Sequence, residues 1–394
     1  MWLSDATVVL PDRLIEKGAV RVEAGRIAEI AESPVQGGIP CEGLHLMPGF
    51  IDMHGDMIEV ELEPRDRVDM PMELALSMLD ARLAASGVTT GYAAVSFSKG
   101  AKNGARRSFD HTSNVIRALH AARDGLRVDH RIHARFDITF DDAVATMQDL
   151  VRDGQVDLVS LMDHTPGQGQ YRDIERFVDN MAQREGISED EARARVETRI
   201  AARKRPEEVI LANLNAISEV CQASGVSLAS HDDDTRKKAN LMADIGCRIA
   251  EFPVTLEAAK TAVARGVQTA MGAPNALRGT SYSGNLSARQ AHAAGLLGML
   301  AADYHPGTML PAVKILSATD PGGLSGAVRL VSANPADALG LKDRGRIALG
   351  LRADLVLADL SGLGRVVASY SAGALAYSNG TIALPNHPEA AAAA

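Results

Sequence analysis

Apolar and polar residues alternate near both ends of the chain, which is the pattern of half-buried β-strands. The segment Ala19–Ile30 alternates, breaks after Gly25 and then resumes, so it predicts a β-hairpin. Short alternating runs separated by Gly and Asp recur between residues 345 and 370. We therefore expect residues 1–47 and 331–394 to form one small β-sandwich domain together.

The middle of the chain, residues 48–330, repeats a short apolar run followed by a helical pattern, as in Met72–Ala85, Asp142–Asp153 and Leu256–Arg265. The eight candidate strands are Pro48–His54, Gly87–Ser96, His130–Thr139, Val156–His164, Val226–His231, Cys247–Val254, Val267–Gly272 and Leu296–Tyr304. Eight such repeats predict an α/β fold, a (β/α)8 barrel that forms the catalytic domain. A doubly wound open sheet is the alternative, but no Gly-x-Gly-x-x-Gly turn opens a first βα unit.

The interval between the fourth and fifth candidate strands is longer than one helix requires. Residues 167–224 are largely charged and helical in pattern, with a break at Gly186. Two interpretations stay open for this insertion. It is either a solvated helical surface or a lid over the mouth of the barrel.

Titratable side chains end nearly every candidate strand, and catalytic residues of such barrels lie at the carboxyl ends of the strands. The proposed metal ligands are His54, Asp56, Asp137, His164, His231 and Asp303. Mixed imidazole and carboxylate ligands suit zinc, manganese or iron(II), so we expect one or two divalent ions as cofactor. Asp137 is the expected bridging ligand and Asp303 the expected catalytic base, whereas Glu251 is left open between a site role and an arginine partner.

Basic and small polar residues occur on segments predicted at the same end of the barrel. A Gly- and Ser-rich run follows the seventh strand, and its backbone N–H groups could approach a phosphate while an arginine binds the anion in bidentate fashion. A basic, glycine-rich stretch also follows the second strand, at residues 98–107. The candidate substrate-binding residues are Arg65, Arg135, Asn275, Arg278, Ser281, Ser283 and Asn285. This distribution predicts a small polyanionic substrate.

Composition narrows the class of partner further. The 394 residues carry 41 Lys and Arg against 50 Asp and Glu, a formal net charge of −9 that argues against nucleic-acid binding. Cys41, Cys221 and Cys247 lie far apart, which predicts no disulfide framework and a reducing, cytoplasmic location. The sequence shows neither a signal-peptide pattern nor about 18 consecutive apolar residues, so we expect no membrane association.

Two segments resemble the amidohydrolase superfamily: Pro48-Gly-Phe-Ile-Asp-Met-His54-Gly-Asp56, and the stretch from Asn334 to Asp354. A more specific set resembles the diphosphatase branch of that superfamily that acts in phosphonate catabolism. This set consists of His54-Gly-Asp56, Glu63-Pro-Arg65, Ala229–Thr235, Glu251–Thr255, Met271–Asn275, Arg278–Asn285 and Ala302–Tyr304. The first motif is His-x-Asp where most superfamily members have His-x-His.

The resemblance implies a metal-dependent hydrolase that cleaves α-D-ribose 1-methylphosphonate 5-triphosphate to the 5-phosphate and diphosphate. We also expect the chain to form a homo-oligomer, namely a dimer. Two alternatives remain. One is a cyclic amidohydrolase or deaminase that acts on C–N bonds, and the other is a non-catalytic barrel that serves as a scaffold in a larger complex.

Overall fold

The computed structural model describes residues 1–65, 68–97, 109–281 and 284–382. The strands are β1 (Trp2–Val9), β2 (Leu14–Glu23), β3 (Arg26–Ala31), β4 (Ile39–Pro40), β5 (His45–Pro48), β6 (Phe50–Gly55), β7 (Val88–Phe97), β8 (Asp129–Asp137), β9 (Leu158–Met162), β10 (Ser227–His231), β11 (Ile249–Glu251), β12 (Gln268–Gly272), β13 (Met299–Ala301), β14 (Leu355–Asp359), β15 (Arg365–Ser371) and β16 (Ala374–Ser378). The helices are α1 (Met57–Leu62), α2 (Met72–Ala85), α3 (Phe109–Ala122), α4 (Val144–Arg152), α5 (Ile174–Glu185), α6 (Glu189–Arg203), α7 (Glu207–Ser224), α8 (Arg236–Ile245), α9 (Leu256–Ala264), α10 (Ala273–Arg278), α11 (Ala288–Ala293), α12 (Met309–Ser317), α13 (Gly323–Arg329) and α14 (Ala333–Ala338).

Strands β6 to β13 pair in chain order, and all of their pairings are parallel. The first and last strands of this order, β6 and β13, meet at a seam. There the N–H of Asp56 donates to the carbonyl of Asp303 and the N–H of Asp303 donates to the carbonyl of His54, each at 2.8 Å. The carboxylate of Asp52 accepts the N–H of Ala302 across the same seam at 2.8 Å. The predicted barrel is confirmed, and each of the eight candidate strands overlaps one of these strands.

Apolar side chains cover both faces of the barrel strands, as expected where helices surround a parallel sheet. Ile51, Met53 and Leu158 belong to the layer that fills the barrel interior. Helices α2, α3 and α4 contribute to a second apolar layer outside the strands. A register shift in the β6–β7 pairing lies between Asp52 and Gly55, and such bulges re-aim side chains next to functional sites.

The two ends of the chain build a second sheet. Its order is β16-β15-β14-β5-β1-β2-β3, with β4 beside β1, and its pairs are antiparallel except those that join β1 to β4 and β5. The hairpin between β2 and β3 turns at Ala24 and Gly25, both with positive φ, as a two-residue type I′ turn requires. The separate, largely antiparallel sheet expected from both ends is confirmed, and the domain bounds 1–47 and 331–394 stay a prediction.

The long interval between β9 and β10 holds three helices. Helices α5 and α6 share a small core of their own that includes Val178, Met181 and Val196. Helix α7 instead contributes Leu214 and Ile217 to the main barrel layer. Within residues 167–224, α7 therefore serves as the barrel helix before β10, and α5 with α6 is the additional part.

Among the described residues, no helix has the length and apolar character needed to cross a membrane.

Candidate active site

A cavity of about 390 Å³ opens at the carboxyl ends of the barrel strands. One side is lined by His54, Asp56, Arg135, His231, Asp232 and Asp303, from the strand ends. The other side is lined by Asn275, Arg278, Thr280, Ser281 and Asn285, from helix α10 and the loop after it. The cavity therefore joins a set of imidazoles and carboxylates to a wall suited to anions.

Three residues at the mouth adopt a left-handed backbone conformation although none is glycine. Asp232, Phe252 and Asp303 have φ values of 54°, 51° and 55°. Each donates its own N–H to the next strand, to the carbonyls of Glu251, Ala270 and His54 respectively. Left-handed conformations of this kind cost free energy and cluster at functional sites. The barrel ladder thus holds two cavity-lining carboxylates, Asp232 and Asp303, in an unfavourable backbone geometry.

The carboxylate of Glu251 organises three histidines inside the barrel. Its Oε2 lies 3.2 Å from Nδ1 of His54 and 2.9 Å from Nδ1 of His231, and its Oε1 lies 3.4 Å from Nε2 of His133. Glu251 is completely buried. A carboxylate that binds the Nδ1 side of a ring fixes its tautomer and leaves Nε2 available to a metal. Glu251, which the sequence left open, therefore orients His54 and His231 toward the cavity.

His164, His231 and Asp232 form a cluster whose ligand atoms lie within 4.8 Å of one another. Nε2 of His164 and Nε2 of His231 each lie 3.6 Å from Oδ2 of Asp232. Among the described residues, Nε2 of His164 and Oδ2 of Asp232 are buried without a hydrogen-bond partner. Burial lowers the pKa of His231 well below its usual value despite the attraction of Asp232, so this ring is neutral, as a metal ligand must be. The donor set fits a divalent cation.

A second group of charges lies beside this cluster. Nε2 of His54 lies 3.4 Å from Oδ1 of Asp56, and Nη1 of Arg135 donates to the same oxygen at 2.7 Å. Burial alone would lower the pKa of His54, but the charges of Glu251 and Asp56 outweigh it and raise that pKa to about 10. The negative charges of Glu251 and Asp56 that raise this pKa would also attract a cation placed beside the ring.

Asp303 differs from its carboxylate neighbours. Burial raises the pKa of Asp303 to about 6, and the negative charge of Asp56 adds to the rise. By contrast, Arg135 and His54 outweigh burial and hold the pKa of Asp56 well below its usual range. Two carboxylates whose pKa values are pushed apart can take different roles, and the one nearer neutrality is suited to proton transfer.

Hydrogen bonds hold in place the side of the cavity that is suited to anions, which we call the anion wall. It consists of Asn275, Arg278, Thr280, Ser281 and Asn285. The side-chain oxygen of Asn275 accepts the N–H of Ala288 at 2.9 Å, which ties α10 to α11 across the intervening loop. Arg289 donates to the carbonyls of Ala276 and Leu277 at the end of α10. Arg278, at the end of that helix, lines the cavity.

The structure brings most of the predicted site residues to this mouth, and it places three elsewhere or in another role. Asp137, the expected bridging ligand, accepts from Arg203 Nη1 at 2.7 Å and from the hydroxyl of Thr139 at 2.6 Å, so its oxygens are already engaged. Arg135 lines the cavity, but its guanidinium is paired with Asp56 at 2.7 Å and is therefore not a free anion ligand. Arg65 is exposed, and the cavity wall formed by the described residues does not include it.

Ser283 and the basic stretch at 98–107 lie outside the described residues. Two residues that the sequence analysis did not nominate, Asp232 and His133, belong to the clusters around the mouth. The signal for Asp232 was its place directly after His231 at a strand end. His133 gave no comparable signal, because it lies inside a strand rather than at its end.

The chain belongs to the amidohydrolase family, whose model matches residues 45–383. Over 367 residues it is 36% identical to α-D-ribose 1-methylphosphonate 5-triphosphate diphosphatase of Escherichia coli (strain K12), an alignment that covers 91% of this chain and 95% of that protein. This relative matches the branch indicated by the sequence motifs.

Solved structures show the same fold at much lower identity. N-acetyl-D-glucosamine-6-phosphate deacetylase from Mycobacterium smegmatis is 18% identical with a TM-score of 0.62, over 95% of this chain and 99% of that one. β-Aspartyl dipeptidase from Fervidobacterium islandicum is 17% identical with a TM-score of 0.62, over 98% and 99% of the two chains. At this level of identity the similarity concerns the fold alone.

Proposed function

We propose that this chain hydrolyses a phosphoanhydride bond of a small phosphorylated sugar. The observation that carries the proposal is the cavity that joins the His and Asp cluster to the wall formed by Arg278, Thr280, Ser281 and Asn285. The similarity to the Escherichia coli diphosphatase over nearly the whole chain supports α-D-ribose 1-methylphosphonate 5-triphosphate as substrate. The products are then the 5-phosphate and diphosphate.

The residues that would hold a divalent ion are His164, His231 and Asp232, with His54 and Asp56 as ligands for a second ion. This nitrogen and oxygen donor set suits zinc, manganese or iron(II). When bound, such an ion would polarise a phosphoryl oxygen and lower the pKa of a bound water. The homodimer expected from the sequence stays a prediction, which light scattering on the purified protein measures directly.

The chain's own groups divide the remaining work. Asp303, with its pKa raised toward neutrality, accepts the proton of the attacking water. Arg278 and the small polar residues after α10 bind the phosphate oxygens and stabilise the negative charge that develops during cleavage. Glu251 holds His54 and His231 in the tautomer and orientation that they need.

Product identification tests the proposed reaction. The purified protein should release diphosphate from the ribose triphosphate, and a chelator should abolish the release until a divalent metal is restored. Release of orthophosphate would place cleavage at the terminal bond and contradict the proposal. A protein with neither bound transition metal nor chelator sensitivity would favour the scaffold alternative.

The anion wall distinguishes this reaction from cleavage of a C–N bond. Removing the guanidinium in Arg278→Ala should raise the KM for the triphosphate roughly 10- to 100-fold, because a charge-assisted hydrogen bond contributes about 1.5–3 kcal/mol. The same substitution should leave turnover of a neutral cyclic amide unchanged if the chain hydrolyses one. A variant that binds the triphosphate as wild type does would remove the anion wall from the mechanism.

A further inference from the structure

A second cavity, of about 270 Å³, lies beside the active site between the insertion helices and the loop after α10. Four arginines line it: Arg172, Arg176, Arg184 and Arg199. We call this cavity the arginine chamber. It shares Gln170 and Asn285 with the mouth cavity, so the two cavities adjoin.

The lining of the arginine chamber contains four arginines and one carboxylate, and Arg184 is paired with Glu185 at 3.5 Å. Its half-buried residue Arg199 forms no ion pair with a carboxylate within the described part of the chain, and its guanidinium lies 5.7 Å from the ring centre of Phe177. Burial, reinforced by the charge of Arg203, lowers the pKa of Arg199. Asp173, the acidic residue of the lining, caps α5 by accepting the backbone N–H of Arg176 at 3.1 Å. These charges leave the chamber suited to an anion.

The loop of the anion wall reaches the chamber at its tip. Gly284 has a φ of 71°, and a Cβ at this position would lie 2.5 Å from Nη1 of Arg176. Only a glycine therefore allows this close approach without displacing the arginine. The next residue, Asn285, lines both cavities. A molecule bound at Asn285 can thus contact both the anion wall and the chamber.

We propose that the arginine chamber binds a phosphonate anion at the end of the substrate remote from the scissile phosphoanhydride. This inference rests on the proposed function and deepens it. A methylphosphonate ester presents oxygen acceptors and one methyl group, and the chamber offers guanidinium groups beside Phe177 and Met181. The preferred substrate class is then a sugar with a phosphorus-centred anion at both ends, one hydrolysed and one only bound.

A comparison of two substrates tests the inference. In Arg199→Met, kcat/KM for α-D-ribose 1-methylphosphonate 5-triphosphate should fall roughly 10- to 100-fold, the loss expected for one charge-assisted contact. ATP carries a triphosphate but no phosphonate. As substrate or as competitive inhibitor, it should therefore bind the variant as it binds wild type. Equal losses for both compounds would assign the chamber to the triphosphate and overturn the inference, as would no loss for either.

Control variants separate binding from folding. Arg195→Met removes an exposed arginine of the same helix, whose partners are Glu185 and Glu191, and should leave both substrates unaffected. Arg199→Lys should restore part of the lost affinity because it restores the charge.

A second test variant, Arg172→Met, changes an exposed residue at the chamber rim and should reproduce the selective loss with an unchanged Tm.

Direct binding keeps this inference separate from the proposed reaction. If wild type releases no diphosphate, the proposed function fails, and phosphorus NMR with methylphosphonate alone then tests the chamber. Line broadening in wild type that Arg199→Met abolishes would support the chamber. Equal broadening in both proteins, or none in wild type, would overturn it.

Discussion

Each carboxylate at the barrel mouth has its own surroundings, and these surroundings set its role. Asp56 is paired with Arg135, Asp232 lies between two imidazoles, and Asp303 has neither an arginine nor a histidine in direct ion-pair contact among the described residues. Of these three carboxylates, Asp303 is therefore the one whose pKa is raised toward neutrality. This difference supports the proposal that Asp303 is the group that transfers the proton.

Replacing Asp303 by asparagine keeps the shape of the side chain and removes the proposed base. We expect kcat to fall roughly 10²- to 10⁴-fold, the usual contribution of general base catalysis, while the fold is retained. Steady-state kinetics and the Tm check this expectation. Asp244→Asn, at an exposed pair with Arg265, is the matched control and should behave as wild type. Full activity of the Asp303 variant would exclude this residue as the base.

Glu251→Gln tests the role of the buried carboxylate that contacts His54 and His231. The amide cannot accept from both Nδ1 atoms with a full negative charge, so His54 and His231 lose their fixed tautomer. We expect metal affinity to fall roughly 10- to 100-fold, as is usual when an outer partner of a metal-binding histidine is changed. Competition with a chromogenic chelator measures this affinity. Glu257→Gln, at an exposed pair with Arg236, should leave it unchanged, and equal affinities in all three proteins would contradict the role.

At the scale of elements, the α5–α6 unit is attached to the barrel by a buried ion pair. Arg203, the last residue of α6, donates to Asp137 at 2.7 Å, and their side chains are 12% and 1% exposed. Arg205 adds an exposed contact with Asp141 at 2.8 Å. The insertion has its own small core, so its attachment depends more on these contacts than on shared apolar packing.

Arg203→Met should loosen this attachment. Removing one partner of a buried pair costs about 3–5 kcal/mol, because the remaining charge stays buried without compensation. We expect faster hydrogen exchange and proteolysis in α5 and α6, while α8 and α9 keep their protection. Arg193→Met removes an exposed pair with Glu175 within the insertion and should change neither measurement. If exchange rose equally throughout the barrel, the pair would stabilise the whole fold instead of the attachment.

The partner of Asp137 could not be predicted from the sequence. Asp137 lies two residues from Arg135 on β8, and local spacing alone made it a reasonable ligand. Its actual partner, Arg203, comes 66 residues later from an element whose docking the pattern did not define. The β6 motif, by contrast, was predictable because His54 and Asp56 are placed by one strand and the turn directly after it.

At the scale of the whole molecule, a buried arginine joins the terminal sheet to the barrel. Arg344 precedes β14, is 5% exposed, and donates to Asp129 at the start of β8 and to Thr90 of β7. Asp343 also contacts its guanidinium at 2.9 Å, and Asp354 lies 3.9 Å away. The eight strands could be inferred from apolar runs and the polar residues that end them. The contact between Arg344 and Asp129 could not be inferred in this way, because these residues are separated by more than 200 positions in the chain.

Arg344→Met should therefore destabilise the molecule as a whole, by about 1.5–3 kcal/mol in the free energy of unfolding at neutral pH, since Asp129 loses one of its two arginine partners and keeps Arg131. Burial disfavours that charge, but Arg131 and Arg344 outweigh it and lower the pKa of Asp129. A lowered pKa stabilises the fold above the ordinary Asp value of about 3.9 and loses this effect as the pH falls below it. The difference between variant and wild type should accordingly shrink in acid, as urea denaturation at several pH values would measure. Arg346→Met, at an exposed pair with Asp337, should match wild type at every pH, and a difference for Arg344→Met that did not change with pH would contradict the ion-pair origin.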